Sequence, residues 1–120
     1  MPYGYGVSVN LLQLTQAYTI FANDGVVLKP KLYTSEEIKV GEKVISQNVA
    51  KKMRSFMQSV VEEDGGTGGK AKIPGYTVAG KTGTAKKVIN GQYVNQYVAS
   101  FVGIAPSNNP KFILAVMIDD

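Results

Sequence analysis

Apolar positions along the chain fall into two periods, first helical and then strand-like. Leu11, Leu14, Tyr18 and Phe21 recur at three- and four-residue steps, with Leu12 and Ala22 beside them, the spacing of one helix face. Asn10 is placed to cap this helix, and Gln13 to complete a reciprocal capping box. Asn23-Asp24-Gly25 closes it, with Gly25 as the left-handed residue. The helix is expected to be buried, its aromatics in the core. A second helix follows Ser46, a ready N-cap. Val49, Met53, Phe56, Met57, Val60 and Val61 form its apolar stripe, and Lys51, Lys52, Arg54, Glu62 and Glu63 lie off it, as on an ordinary amphipathic helix packed on a sheet. Between the helices, the apolar run from Val26 to Leu28 stops at Pro30. Ile38-Lys39-Val40 and Lys43-Val44-Ile45 flank Gly41-Glu42, which predicts a small surface hairpin.

The second half alternates as strands do. Three antiparallel strands are expected at about residues 77–88, 94–105 and 112–118. Asn90-Gly91 is a two-residue hairpin turn between the first two, and Pro106-Ser-Asn-Asn-Pro110 turns the chain into the third. That last strand is almost wholly apolar, as for a central strand covered on both faces. Ser100, in the second strand, has no base candidate beside it and reads as structural. Asp119 and Asp120 read as a solvated strand end. PYGYGVSV near the start is a loop, and DGGTGGKAK at 64–72, with its glycines, is expected to be a mobile one. The fold class is therefore α+β: a three-stranded antiparallel meander with two amphipathic helices.

Composition narrows the chemistry. The length of 120 residues suits one domain. A net charge of +4 comes from dispersed basic residues with few aromatics among them, so no nucleic-acid partner is expected. The chain has no cysteine and no histidine. That removes zinc–thiolate sites, Ser-His-Asp and Cys-His catalysis and imidazole metal sites, and leaves a lysine or a carboxylate as the only possible base for a nucleophile. No apolar run approaches the roughly 18 residues of a membrane span, and Met1-Pro2 reads as an arbitrary cut.

One stretch is chemically specialised: AGKTGTAKK, residues 79–87. On a strand, Thr82 and Thr84 share one face and Lys81 and Gly83 the other. Two hydroxyls on one face can hold a carboxylate, Gly83 lets a ligand backbone approach, and Lys81 supplies the counter-charge. The same residues also fit a threonine-rich edge strand with a solvated lysine. Residues 75–82, GYTVAGKT, match the G-x-x-x-x-G-K-[ST] nucleotide-binding pattern. That motif needs a buried strand before its first glycine and a helix after its Lys-Thr. Here KAKIP precedes it and Gly83 follows at once, so nucleotide binding is not expected.

At AGKTGTA the chain resembles the serine penicillin-binding proteins and β-lactamases, whose third motif is K-T-G. YGYGVSVNLLQLTQAY resembles the Gly-Tyr-Gly segment and following helix of the class B transpeptidases. GTGGKAKIPGYTVAGKTGTAKK and NGQYVNQYVASFVGIAPSNNPKFILAVMIDD are similar to the loop-to-strand passages of the division-specific, FtsI-type enzymes. The resemblance runs over nearly the whole chain, strongest at 65–120 and loosest at 31–47. It departs from the family in lacking S-x-x-K. The S-x-N pattern occurs at Ser8-Asn10, Ser46-Asn48 and Ser107-Asn109, none of them well before the Gly-Tyr-Gly segment, where the family has it.

The resemblance implies that residues 1–120 are a C-terminal portion of a penicillin-binding transpeptidase domain, part of a β-lactamase-like, five-stranded fold. It implies a serine D,D-transpeptidase that cross-links peptidoglycan stem peptides ending in D-Ala-D-Ala through an acyl-enzyme, and that β-lactams acylate. The nucleophile lies outside this chain, which is expected to be inactive alone. By motif matching, Lys81 supplies positive charge beneath the groove and bonds to the S-x-N serine. Thr82 and Thr84 hold the substrate carboxylate, Gly83 lies between them, and the Thr84 backbone N–H is an oxyanion donor. No cofactor and no metal is implied. The partners are the stem peptide, β-lactams and the rest of the domain, and the parent is anchored in the bacterial cytoplasmic membrane with the domain on its outer side. The strand at 112–119 is expected to support self-association. A non-catalytic module that captures peptide C-termini along the same strand edge is the alternative.

Overall fold

The computed structural model describes residues 4–120, so Pro2 and Tyr3 of the expected PYGYGVSV loop lie outside the described residues. Helix α1 spans Leu11–Ala22 and helix α2 spans Gln47–Glu62. Strands β1 (Val26–Leu28) and β2 (Val40–Lys43) form a small sheet, and β3 (Ala79–Ile89), β4 (Gln92–Ala105) and β5 (Phe112–Asp119) form an antiparallel meander in that order.

Local chemistry sets the element ends. The Asn10 side chain accepts the Gln13 N–H at 2.8 Å, and the Gln13 side chain accepts the Asn10 N–H at 2.9 Å, so both arms of the capping box form. The C-terminal turn takes two left-handed residues, Asp24 (φ 52°) and Gly25 (φ 91°). The Gly25 N–H returns to the Ile20 carbonyl at 2.7 Å, in the manner of a Schellman closure. Asn90 (φ 51°) and Gly91 (φ 77°) both take the positive φ of a hairpin turn whose twist matches its strands.

The register of the meander separates two faces. Ala79, Lys81 and Gly83 lie opposite Ile104, Val102 and Ser100, and these lie opposite Ile113, Ala115 and Met117. Both helices pack on this side: Met57, Ala79 and Ile104 form the buried core, with Tyr18, Phe21, Ala22 and Ile113 against it. Burial pushes the pKa of the half-buried Tyr18 phenol up. The other face carries Gly80, Thr82 and Thr84, then Gly103, Phe101 and Ala99, then Leu114, Val116 and Ile118. It is open: a cavity of about 560 Å³ lies over Phe101, Gly103, Phe112 and Leu114.

Five expectations need correction. Gly41 and Glu42 are not a hairpin turn but lie within β2, which pairs with β1. A Cβ on Gly41 would collide with Val27, so the glycine permits close strand approach instead of turning the chain. Helix α1 has no fully buried residue, because only its Tyr18, Phe21 and Ala22 side reaches the core. On α2 the buried positions are Ala50, Arg54, Met57 and Val61, whereas Val49, Met53 and Phe56 are exposed. The buried face is thus rotated from the expected stripe, and an arginine sits in it.

Strand β5 is covered on one face only, leaving Phe112, Leu114, Val116 and Ile118 exposed. Residues 64–72 are not a free loop. They turn through a short 3-10 helix, Gly69–Ala71, and the buried Gly68 donates its N–H to the Val60 carbonyl at 2.9 Å. Gly66 comes so close to the Val60 carbonyl that a Cβ would collide with it.

Candidate functional site

The stretch at 79–87 forms the first part of β3, which pairs only with β4 and so has an open outer edge among the described residues. The Lys81–Thr82 pair lies inside this strand and not at a helix N-terminus, so the geometry that cradles a phosphate in the nucleotide-binding motif is not formed here. Two contacts mark the direction of the outer edge. The Lys86 N–H donates to the Tyr5 hydroxyl at 3.1 Å, and the Lys81 ammonium donates to the Thr82 carbonyl. Neither group can therefore be directed at β4. Backbone groups on a strand point the same way at every second residue, and the register runs unbroken from Ala79 to Lys86. The Thr84 N–H accordingly lies on the outer edge between the two marked positions.

The four expected site residues separate by face. Thr82 and Thr84 lie on the open face and Lys81 and Gly83 on the helix-bearing one. Lys81 is exposed, and its ammonium curls round the strand to the outer edge. The space a Gly83 side chain would take is filled by Ser100, whose Oγ lies 2.6 Å from the position of a Cβ. Steric need at Gly83 thus comes from the neighbouring strand as well as from any ligand. Gly80, just before the lysine, is pressed from two sides: a Cβ there would lie 2.6 Å from the Phe101 ring and 3.0 Å from Val61.

Two neighbours of the site were not found in the sequence. Thr67, in the packed turn after α2, has its Oγ1 2.9 Å from the Thr82 Oγ1. Its one signal is a hydroxyl set between two glycine pairs, GGTGG. Tyr5 caps the outer edge at Lys86 and stacks edge-on against Tyr93, with ring centroids 5.4 Å apart. At the entry to β3, the Val78 N–H donates to the Glu62 carboxylate at 3.0 Å, so the end of α2 fixes where the strand begins.

Comparison with known proteins fits this geometry. A family model described as the penicillin binding protein transpeptidase domain matches residues 1–120. The probable peptidoglycan D,D-transpeptidase PenA of Neisseria flavescens is 45% identical over 100% of this chain and 30% of its own. The peptidoglycan D,D-transpeptidase FtsI of Escherichia coli K12 is 41% identical over 98% of this chain and 20% of its own. Among solved structures, the apo transpeptidase domain of Burkholderia pseudomallei penicillin-binding protein 3 superposes with a TM-score of 0.85 at 42% identity, over 98% of this chain and 36% of that one. Penicillin-binding protein 3 of Mycobacterium tuberculosis, complexed with aztreonam, gives a TM-score of 0.86 at 34% identity, over 99% of this chain and 31% of that one. The chain thus spans between a fifth and somewhat over a third of the length of these relatives.

Proposed function

The chain belongs to the penicillin-binding protein transpeptidase domain family, and from that premise we propose that it is the K-T-G strand portion of a serine D,D-transpeptidase. The observation that carries this reading is the paired hydroxyl face of Thr82 and Thr84 on a strand whose outer edge is open. An extended stem peptide adds to that edge as a further strand. Its terminal carboxylate accepts hydrogen bonds from the Thr82 and Thr84 hydroxyls, and the Lys81 ammonium offsets the charge. A serine hydroxyl from outside this chain attacks the penultimate D-Ala carbonyl. The negative charge that develops on the carbonyl oxygen is held by the Thr84 N–H. Terminal D-Ala departs with a proton on its amine, leaving an ester, and the amine of a neighbouring stem attacks that ester to form the cross-link and free the serine.

A β-lactam enters with its ring acidic group, carboxylate or sulfonate, at the same contact and stops at the ester; a related protein has been solved in complex with the β-lactam aztreonam. Without S-x-x-K, the 120-residue chain alone forms no such ester. No helix among the described residues is long and apolar enough to cross a membrane. In this reading the anchor to the bacterial cytoplasmic membrane lies elsewhere in the parent, and the domain faces outward.

The test is the second-order acylation rate of the full-length protein by a β-lactam. Thr82→Val and Thr84→Val keep strand propensity and shape, so the double variant should lose more than tenfold in rate while melting close to wild type. An unchanged rate would remove both threonines from the carboxylate site.

A further inference from the structure

The Thr82 hydroxyl does not stand alone. Its Oγ1 lies 2.9 Å from the Thr67 Oγ1, and the turn that carries Thr67 is built tightly. On one side Gly66 is pressed on the Val60 carbonyl. On the other the buried Gly68 donates to that same carbonyl at 2.9 Å. A Cβ on Gly66 would collide with that carbonyl, and one on Gly68 would meet Val60 and Val61 at 3.3 Å, so these two glycines let the turn sit close on the end of α2 and bring Thr67 against Thr82.

A hydroxyl has one proton to give and two lone pairs to accept with. In a pair of hydroxyls one donates and the other accepts. If Thr82 gives its proton to Thr67, it has none left for an anion. If Thr67 gives its proton to Thr82, the Thr82 proton is free to point into the open face, and its oxygen is polarised by the bond it accepts, which strengthens what it donates. Only the second arrangement lets Thr82 bind a carboxylate. Without Thr67, the Thr82 hydroxyl can rotate among its staggered positions or turn to the backbone.

We propose that Thr67 is a positioning residue of the carboxylate site: it donates to the Thr82 Oγ1 and aims the Thr82 proton at the substrate or β-lactam carboxylate. The inference rests on the reading of Thr82 given under Proposed function. It makes the turn after α2 a working part of the site, although that turn lies outside the K-T-G strand.

The experiment uses the full-length protein and one β-lactam in two forms, the free carboxylate and its methyl ester. Thr67→Val should slow acylation by the free carboxylate about tenfold, the size of one hydrogen bond to a charged group. Acylation by the ester should change less than twofold. Thr67→Ser, which keeps the hydroxyl, should restore the rate. Thr67→Ala gives the same reading should valine disturb the turn. Thr67→Val and Thr82→Val together should cost little more than Thr82→Val alone, since both remove one chain of donors.

Equal losses on acid and ester, or no loss on either, would overturn the positioning role while leaving Thr82 in place. If Thr82→Val itself fails to distinguish acid from ester, the carboxylate reading of Thr82 falls, and the role of Thr67 falls with it.

Discussion

Arg54 donates from its Nε to the Ser107 carbonyl at 3.0 Å, joining the middle of α2 to the turn between β4 and β5. Its Nη1 donates to the Phe21 carbonyl at 2.6 Å and lies 3.7 Å from the Asp24 carboxylate. One guanidinium therefore closes the end of α1, holds the sheet turn and meets a carboxylate. It does so at 6% exposure, where an unpaired charge would be costly.

Replacing Arg54 by Met should leave two carbonyls without donors and destabilise the parent domain by about 2–4 kcal/mol. Arg54→Lys should recover only part of this, because an ammonium lacks the planar fork that serves separate acceptors. Asp24 is half exposed, so Asp24→Asn should cost under about 1 kcal/mol. Urea unfolding of the three variants checks the order. A Met variant as stable as wild type would mean that the guanidinium is not the link.

Gly80→Ala should disturb the strand one residue ahead of Lys81. The new methyl would meet the Phe101 ring at 2.6 Å and Val61 at 3.0 Å, and overpacking of that kind costs about 1–3 kcal/mol. Shortening the ring with Phe101→Leu should lower the penalty, so the two changes should be non-additive in a thermodynamic cycle. Strict additivity would place the strain elsewhere.

Features written in adjacent residues were legible in the sequence. The capping box at Asn10 and Gln13, the Ser46 cap and the Asn90-Gly91 hairpin all form. Strands expected at 77–88, 94–105 and 112–118 occur at Ala79–Ile89, Gln92–Ala105 and Phe112–Asp119. Features that depend on distant pairing were not legible. Arg54 reads as a solvated charge until Ser107, 53 positions on, supplies a carbonyl. Gly41-Glu42 reads as a turn until β1 arrives beside it. Thr67 reads as part of a loose loop until Thr82, 15 positions on, faces it. The K-T-G stretch showed which side chains share a face. It could not show that Ser100 fills the space beside Gly83, because register between strands is a tertiary fact.

Tyr5→Phe should free the outer edge of β3 at Lys86. The ring can keep its edge-on contact with Tyr93, but the Lys86 N–H loses the hydroxyl it donates to. Hydrogen exchange at the Lys86 amide should speed up roughly fivefold, as for loss of one exposed hydrogen bond, with stability changed by under about 1 kcal/mol. An unaltered exchange rate would mean that the Gly4-Tyr5-Gly6 segment does not lie across the edge in solution.

The 120-residue chain on its own should self-associate through β5. That strand pairs with β4 on one side and with no strand on the other among the described residues. A row of unpaired N–H and C=O groups along an apolar strand recruits another chain. Leu114 and Ile118 are 63% and 66% exposed, and charged neighbours that would blunt the edge are confined to Lys111, Asp119 and Asp120 at its ends. The open face beside it, over Phe101 and Leu114, adds apolar surface that monomers rarely leave uncovered. In the parent, the expected five-stranded sheet would supply a neighbour for β5, so the tendency should vanish when the rest of the domain is present. Sedimentation velocity across a concentration series should show dimers or larger species for the chain alone. Val116→Lys, a charge in mid-edge, should move the distribution toward monomer. A clean monomer at high concentration, with slow amide exchange from Ile113 to Val116, would mean that the edge is already paired within the chain and that β5 is not the outer strand of this sheet.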